Sequence, residues 1–343
     1  MNPASLAVLA GLAAACPLDA LAQVNPGLPR LHHVGLNSVD PDKAISWYLK
    51  IWPAARRTVV AGQPAVESDM LLLFTKVDRA PPGAWRPELQ RSEHQSAFWH
   101  IGAFTNTTSI ADRLKVVGVT HLPLYTSPKD SLTVWRAGLA PYSGTLTAQQ
   151  LETAQATPAR DGGFSYVLAP DGVLFELTGG PDTHDSFSHI HFFRERPLCA
   201  ANWYVENLGM ELTPVREADG RETPRAPWNP CEVPYAEATW PSLERIGTIR
   251  QPAGSVRFGN GTMSSYPRQC SGSRCGSEQP LVPSRGQALD HVAFAVSNWQ
   301  GKLEKLRQAG VKMLEEPHAF GDTRAFMIQD PDGLAVELVE ARP

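Results

Sequence analysis

Hydrophobic and polar positions along the chain repeat as a unit of one alternating strand, one helix and further strands. Four segments open such a unit, each with a histidine early in a strand-like run and a helix-like stretch after it: LHHVGLNSVDPDKAISWY at 31–48, FWHIGAFTNTTSIADRL at 98–114, FSHIHFFRERPLCAANWY at 187–204 and LDHVAFAVSNWQGKLEKL at 289–306. Strand-like runs such as MLLLFTKV (70–77) and SVRFG (255–259) follow the helices. The pattern predicts an α+β protein of four strand–helix–strands modules.

The predicted helices have clear boundaries. Asp40 is placed to cap the first helix, and Pro41 occupies its first helical position. Gly118 and Gly310 follow the second and fourth helices, where glycine commonly ends a helix.

Two modules end in the same short phrase, PDGVLFEL at 170–177 and PDGLAVEL at 331–338. Proline followed by Asp-Gly favours a tight turn that leads into a strand. Alternation along each strand places the bulky residues on one face and a lone carboxylate, Glu176 or Glu337, on the other. A carboxylate on a half-buried strand is costly unless a partner stabilises it.

The histidines of the four first strands supply such partners. His33, His100, His189 and His291 lie on the faces opposite the bulky residues, mostly beside small residues that leave room for a ligand. Two imidazoles and one carboxylate from three strands make a facial metal site with open positions. A single inward histidine is more often a core residue than a ligand. Because four histidines and two glutamates repeat in register, the sequence predicts a metal site in at least one half.

With these histidines and the repeated PDG…E phrase, the chain resembles two-domain members of the vicinal oxygen chelate superfamily, which includes glyoxalase I, fosfomycin-resistance proteins and type I extradiol dioxygenases. The resemblance implies βαβββ modules that pair into sheets, each cupping one divalent metal. It implies a first domain at 28–180 (modules 1 and 2), a linker at 181–186 and a second domain at 187–341 (modules 3 and 4). The ligands implied are His33, His100 and Glu176 in the first domain, and His189, His291 and Glu337 in the second.

The four-module arrangement resembles the extradiol dioxygenases, which implies Fe(II) as the favoured metal, with Mn, Zn or Ni as alternatives. Tyr166 precedes Glu176 by ten residues, as the active-site tyrosine of that family precedes its glutamate; alternatively it is a core aromatic. Met327 holds this place in the second half, and domain one lacks a counterpart of the family's acid–base histidines. His191, on the face of His189, is a candidate acid–base group, substrate-binding residue or substitute ligand, or a solvated histidine.

Two other function classes remain open. In a redox-neutral lyase, isomerase or epimerase, the metal acts as a Lewis acid on an oxygen-bearing substrate. Glyoxalase I itself is disfavoured, because MLLLFTKV offers no acidic fourth ligand and because the thiol cofactor of that enzyme is cytosolic. The third hypothesis is a non-catalytic protein that sequesters a small molecule, as bleomycin-resistance relatives do. A small-molecule partner is expected in each case.

Composition and the N-terminus set the expected location. At 343 residues, with 42% hydrophobic and 19% charged residues, the chain is typical of two globular domains. A net charge of −4 without a basic run gives no reason to expect nucleic acid. Residues 1–22 hold an apolar run, too short to span a bilayer comfortably, that ends in the A-x-A site Ala20–Ala22. We therefore expect a signal peptide and a periplasmic or secreted protein without a membrane span; the alternatives are a lipoprotein cut before Cys16 and an unprocessed tail.

The remaining signals are weaker. Cys270 and Cys275 lie in a Gly/Ser-rich loop where a local disulfide is plausible, whereas Cys199 and Cys231 have the pattern of single cysteines. His32 is predicted to face away from His33, and we assign no role to His94, His121, His184 and His318. Long polar insertions at 122–162 and 214–285 are either functional lids or mobile loops. The sequence does not indicate an oligomeric state.

Overall fold

The computed structural model describes residues 27–81, 85–86, 91–92, 95–106, 109–119, 125–127, 132–134, 164–179, 183–217, 219–233, 253–259, 261–268 and 280–341. The predicted signal peptide, Cys270, Cys275, His94 and His121 lie outside these ranges.

The described chain forms the predicted α+β modules. The helices are α1 (Pro41–Ile51), α2 (Ile110–Val116), α3 (Pro197–Leu208) and α4 (Trp299–Gln308), with a 3-10 turn at Pro170–Gly172. The strands are β1 (Arg30–Ser38), β2 (Arg56–Val60), β3 (Gln63–Glu67), β4 (Leu71–Lys76), β5 (Trp85–Arg86), β6 (Arg91–Ser92), β7 (Phe98–Phe104), β8 (Tyr125–Ser127), β9 (Leu132–Val134), β10 (Phe164–Leu168), β11 (Leu174–Thr178), β12 (Ser186–Arg194), β13 (Glu211–Leu212), β14 (Val215–Arg216), β15 (Glu222–Thr223), β16 (Gly254–Phe258), β17 (Gly261–Pro267), β18 (Leu289–Val296), β19 (Met313–Phe320), β20 (Thr323–Gln329) and β21 (Ala335–Glu340). Within the described ranges, no helix has the length and apolar character needed to cross a membrane.

The helix boundaries follow from local chemistry. The Asp40 side chain accepts a hydrogen bond from the backbone N–H of Lys43 at 3.1 Å, and Pro41 begins α1, as predicted. Gly310, which follows the C-cap residue of α4, has a φ of 69°, a left-handed value that glycine adopts without steric cost. Ile45 and Tyr48 on the inner face of α1 are fully buried against the sheet.

The strands form two large sheets. Sheet 1 has eight strands in the order β19-β20-β21-β18-β1-β4-β3-β2, and sheet 2 has seven in the order β10-β11-β7-β12-β17-β16-β13. At the centre of sheet 1, β1 pairs antiparallel with β18, and at the centre of sheet 2, β7 pairs antiparallel with β12. Sheet 1 therefore joins modules 1 and 4, and sheet 2 joins modules 2 and 3.

This topology corrects the predicted grouping of modules 1 and 2 in residues 28–180 and of modules 3 and 4 in residues 187–341. β11 ends at Thr178 and β12 begins at Ser186 in the same sheet, with β7 between them, so the predicted linker at 181–186 connects two strands of sheet 2. Two sheets are present, as expected, but each sheet combines one module of the predicted first domain with one module of the predicted second domain.

The PDG turns connect the two sheets. Asp171 accepts a hydrogen bond through its side chain from the backbone N–H of Val39, next to β1, at 3.1 Å. Asp332 accepts one from the backbone N–H of Glu195, next to β12, at 3.1 Å. Each turn thus holds the strand–helix connection of a module in the other sheet, which gives the repeated aspartate a structural role.

A buried ionic cluster adds to the contact between the two sheets next to the second PDG turn. Arg194 at the end of β12 is fully buried, and its guanidinium donates hydrogen bonds to Asp330 and, at 3.1 Å, to the hydroxyl of Tyr204. The Tyr204 hydroxyl in turn donates to Asp330 Oδ2 at 2.7 Å. Each of these buried charges offsets the desolvation cost of the other, because either charge alone would lose its hydration without compensation.

A disulfide links Cys199 in α3 to Cys231, so the interpretation of these two residues as single cysteines is wrong. They are 32 residues apart in the sequence, a separation that carries no local motif. The bond links the described segment 219–233 to helix α3 of module 3.

Candidate metal centres

Centre 1 lies on sheet 1 and consists of His33 from β1, His291 from β18 and Glu337 from β21. His33 Nε2 lies 3.0 Å from His291 Nε2 and 3.2 Å from Glu337 Oε2. All three side chains are buried. Strands β18 and β21 are parallel neighbours, in which His291 pairs with Ala335. Because every second side chain of a strand points to the same face, Glu337 lies on the face of the sheet that carries His291.

Asp290 fixes the ring of His291. The Nδ1–H of His291 donates to Asp290 Oδ1 at 2.6 Å, which leaves Nε2 facing His33 and Glu337. The Asp290 carboxylate also accepts hydrogen bonds from the Gly286 backbone N–H at 2.6 Å and from Asn37 Nδ2 at 3.0 Å. Burial opposes the charge on this carboxylate, but His291, Arg285 and Gly286 outweigh it and hold the pKa of Asp290 at about 2.

The protonation states at centre 1 suit a metal. Burial, aided by His291 and His32, lowers the pKa of His33 well below its ordinary value, so its imidazole is neutral. Burial also raises the pKa of Glu337. A neutral imidazole with an unprotonated nitrogen is the form that binds a metal ion, and a cation at this position would offset the cost of the buried carboxylate.

Three further residues lie close to centre 1. His32 does not point away from His33: their Nδ1 atoms lie 2.9 Å apart. His318 lies on strand β19, with its Nε2 3.5 Å from Glu337 Oε1. The ring of Phe320 is stacked on that of His33, with centroids 5.5 Å apart.

Centre 2 lies on sheet 2 and consists of His100 from β7, Glu176 from β11, and His189 and His191 from β12. His100 Nε2 lies 3.2 Å from Glu176 Oε2, and His189 Nε2 lies 3.3 Å from Glu176 Oε1. One glutamate thus faces two histidines, one through each carboxylate oxygen. His189 and His191 are only partly buried, in contrast to the ligand candidates of centre 1.

Tyr166 completes this arrangement. Its hydroxyl donates to Glu176 Oε2 at 2.8 Å, because β10 and β11 pair with Tyr166 directly opposite Glu176. Met327 is the residue directly opposite Glu337 in sheet 1, as the sequence register predicts. Burial raises the pKa of Tyr166 well above its ordinary value, and the charge of Glu176 raises it further. The hydroxyl is therefore a donor at neutral pH.

The charge state of Glu176 follows from two opposing effects. Burial favours the neutral acid, but the adjacent imidazoles of His100 and His189 outweigh it and hold the pKa of Glu176 well below its ordinary value. Burial lowers the pKa of His100 despite that carboxylate. Centre 2 therefore presents an ionised carboxylate beside a neutral imidazole.

His191 belongs to the same cluster. Its ring lies 4.2 Å from that of His189 and 4.6 Å from that of His100, measured between centroids. Tyr266 from β17 contacts its other side at 5.0 Å, a neighbour that sequence reasoning missed. Burial, together with His189 and His100, lowers the pKa of His191 well below its ordinary value. The structure therefore does not support the solvated-histidine interpretation.

Two glycines make room for the facing histidines. Gly35 pairs with His291 across β1 and β18, and Gly102 pairs with His189 across β7 and β12. A Cβ on either glycine would lie within 2.6 Å of three ring atoms of that histidine. The small residues in these strands therefore accommodate the imidazole of the partner module, and not a ligand as the sequence suggested.

The donor sets fit a divalent cation. Metal–ligand bonds of about 2.1 Å place neighbouring ligand atoms about 3.0 Å apart at right angles and about 3.4 Å apart in a tetrahedron. In each centre two pairs of ligand atoms lie 3.0–3.3 Å apart, and all ligand atoms lie within 4.8 Å of one another. Imidazole and carboxylate groups together suit Fe, Mn, Ni or Zn.

The structure thus brings together every predicted ligand, but in sets other than those predicted. His33 lies with His291 and Glu337, and His100 lies with His189 and Glu176. The predicted sets of His33, His100 and Glu176, and of His189, His291 and Glu337, each contain residues from both sheets and are corrected by the topology.

Comparison with known proteins agrees with this architecture. Residues 186–338 match the family described as the Glyoxalase/Bleomycin resistance protein/Dioxygenase superfamily. A stretch of 59 residues, 17% of the chain, is 37% identical to lactoylglutathione lyases of Salmonella typhimurium and Escherichia coli O157:H7. It spans 44% of those proteins, less than half of their length.

Two solved structures share the fold over most of the chain. Glyoxalase I from Zea mays aligns with a TM-score of 0.54 and 14% identity, over 91% of this chain and 92% of that one. A candidate dioxygenase from Bacillus subtilis aligns with a TM-score of 0.54 and 10% identity, over 92% and 86%. At such identities the likeness concerns the fold alone. The family match thus covers less than half of the chain, and the fold shared with these two structures extends over most of it.

Proposed function

We propose that the protein is a divalent-metal enzyme that acts at centre 2 on a small oxygen-bearing organic substrate, with an extradiol-type oxygenation supported by Fe(II) as its reaction. The observation that carries the proposal is the contact of one ionised glutamate with two histidines and one tyrosine hydroxyl, in a partly accessible cluster. Two histidines and one carboxylate are the donor set of non-haem Fe(II) oxygenases.

Centre 2 is favoured over centre 1 because its surroundings differ. Around centre 1, a small apolar cluster that includes Ala293, Phe320 and Val339 packs on the face of sheet 1. Centre 2 is lined by aromatic and polar side chains, among them Tyr166 and Tyr266. Groups that can orient a substrate and move a proton therefore surround centre 2.

The residues of centre 2 have separate roles in this proposal. His100, His189 and Glu176 would hold the metal, which supplies an electrophilic site for an oxygen-bearing substrate. Tyr166 holds Glu176 Oε2 and keeps that carboxylate in place. His191, beside His189 on β12 and against Tyr266, is placed either to exchange a proton with the substrate or to act as a fourth ligand.

A redox-neutral lyase or isomerase is the second candidate. The fourth imidazole favours it, because His191 as a ligand would give centre 2 three histidines and one carboxylate, a fuller set than the oxygenase triad. The local match to lactoylglutathione lyases and the fold shared with Zea mays glyoxalase I point in the same direction. The thiol substrate of those enzymes is not carried over to this chain.

Metal and oxygen requirements separate the candidates. Oxygen uptake with catechols, dependent on added Fe(II) and lost in His100→Ala, would support the oxygenase. Catalysis with Zn, Mn or Ni and no oxygen uptake would support the lyase or isomerase. The matched control is His291→Ala, which changes centre 1 alone and should retain turnover. Full activity in both variants would contradict an enzymatic role for either centre, whereas no turnover by the wild type with any of these metals would favour the small-molecule binding protein.

We also propose export to the periplasm or the medium, with removal of residues 1–22. The disulfide between Cys199 and Cys231 supports this, since such bonds persist in oxidising compartments. Cell fractionation and N-terminal sequencing of the mature chain test it. A cytosolic protein that retains Met1 would refute export.

A further inference from the structure

We infer that the two centres differ in metal affinity, with centre 1 the tighter and first to fill, and that Asp290 and Tyr166 are the positioning residues that set the difference. The inference rests on the proposal that both centres bind a divalent metal, and adds an order of occupancy to it. Two independent contacts, one on a histidine and one on a glutamate, carry it.

The first contact strengthens a histidine of centre 1. Asp290 accepts the Nδ1–H of His291 at 2.6 Å, which fixes the tautomer with its free electron pair on Nε2, directed at the other ligand atoms. The carboxylate itself is immobile, because Gly286, Asn37 and Arg285 also donate to it. A carboxylate behind a ligating imidazole orients the ring and makes it a stronger donor.

The corresponding histidine of centre 2 lacks this support. His100 occupies the place of His291 in its module, and the residue before it is Trp99 in place of Asp290. His100 Nδ1 is buried and has no hydrogen-bond partner among the residues that the structure describes. Trp99 packs against this ring, with centroids 4.4 Å apart, but offers no carboxylate to Nδ1.

The second contact weakens a carboxylate of centre 2. Tyr166 donates its hydroxyl hydrogen to Glu176 Oε2, the oxygen that lies 3.2 Å from His100 Nε2. A hydrogen bond to a carboxylate oxygen draws electron density from it and competes with a cation for it. In centre 1, Met327 stands opposite Glu337 and has no hydroxyl to donate.

Both contacts favour tighter metal binding at centre 1 than at centre 2. Removal of an outer partner such as Asp290 typically costs about 10–100-fold in metal affinity. We therefore expect a first equivalent that is held firmly in centre 1 and a second in centre 2 that exchanges more readily. Such an order would give the chain a permanent metal in the enclosed centre and an adjustable one where the substrate binds.

Zinc competition against a chromogenic chelator of known affinity tests this order on the full mature chain. His291→Ala leaves only centre 2 intact and His100→Ala leaves only centre 1, so the two variants assign the steps of the wild-type titration. The expected result is at least tenfold tighter zinc binding in His100→Ala than in His291→Ala. Equal affinities, or the reverse order, would overturn the inference while leaving metal binding intact. No zinc binding in the wild type would instead overturn the proposed function.

Conservative variants test the two positioning residues. Asp290→Asn keeps the side-chain volume and should weaken the tight step 10–100-fold with the other step unchanged. Tyr166→Phe removes only the hydroxyl and should strengthen the weak step. Asp332→Asn, a carboxylate remote from both centres, should change neither. A merely structural role would lower the unfolding temperature of the metal-free protein without shifting one step selectively, and that pattern would contradict the assignment.

Discussion

Gly102→Ala is the smallest change that should disable one metal centre and leave the other intact. Gly102 lies in β7 directly opposite His189 of β12, and its missing side chain leaves the space that the imidazole occupies. A Cβ built there lies 2.6 Å from Cδ2 of His189 and closer still to two other ring atoms. Ordinary contacts of this kind begin at 3.4 Å and the nearest ring atoms lie 2.2 Å from the added Cβ, so the ring must move by about 1.2 Å.

That displacement exceeds what a ligand tolerates. Metal–ligand distances in proteins hold to within about 0.2 Å, so a shift of this size removes His189 from the donor set. We expect zinc affinity at centre 2 to fall by on the order of 100-fold or more, at the upper end of what outer contacts cause. The crowding itself should cost about 1–3 kcal/mol of folding free energy, which the chain can tolerate.

Elemental mass spectrometry after dialysis against zinc-buffered solution measures the effect. Gly102→Ala should lose one of two zinc equivalents and the activity with it. Gly35→Ala is the matched control, since its Cβ would meet His291 in the same way and should remove the equivalent of centre 1. Retention of both equivalents in Gly102→Ala, with normal folding by circular dichroism, would refute the assignment of His189 as a ligand.

The remaining predictions concern the connections between the sheets and the outer helix. Asp330→Ala leaves the buried guanidinium of Arg194 without its main partner and should cost about 3–5 kcal/mol in urea unfolding; a loss below about 1 kcal/mol would contradict the role of this pair. Burial raises the folded-state pKa of Asp332 to about 6 from an ordinary 3.8, so its contribution to stability is complete below pH 3.8 and lost as pH rises to 6. Asp332→Asn should therefore be more stable than wild type above pH 6 by about 3 kcal/mol and equal to it near pH 3, and a constant difference across this range would refute the assignment. Cys231→Ser opens the disulfide to Cys199 and should lower stability by about 2–4 kcal/mol; an unchanged unfolding temperature in calorimetry would show that the bond contributes nothing.

The module count and the candidate ligands could be predicted from the sequence because both depend on local periodicity. Alternation with period 2 fixed the inward faces of the strands, and the repeated PDG…E phrase located the glutamates. Glu176 and Glu337 indeed lie beside first-strand histidines in the structure.

The pairing of modules could not be predicted in the same way, because it depends on which strand edges meet. A signal was present nevertheless. Modules 1 and 2 carry a glycine two residues after the first-strand histidine, at Gly35 and Gly102, whereas modules 3 and 4 carry His191 and Ala293 there. In the structure His291 faces Gly35 and His189 faces Gly102, so each glycine-bearing strand pairs with a strand that lacks the glycine. This division agrees with the observed pairing of modules 1 and 4 and of modules 2 and 3.

Other features required the tertiary structure. His318 approaches Glu337 only because β19 lies at the edge of the same sheet, two strands away from β21. Phe320 reaches His33 from the end of that strand, far away in the sequence. Contacts of this kind leave no periodic trace and come from the hydrogen-bonded order of the strands.

The most direct test of the account is the zinc content of double variants. If modules 1 and 4 share one centre and modules 2 and 3 the other, His33→Ala/His291→Ala should retain one of two equivalents, whereas His33→Ala/His100→Ala should retain none. The opposite result, with one equivalent kept in His33→Ala/His100→Ala and none in His33→Ala/His291→Ala, would contradict the pairing. Absence of zinc from the wild type after reconstitution would contradict both centres.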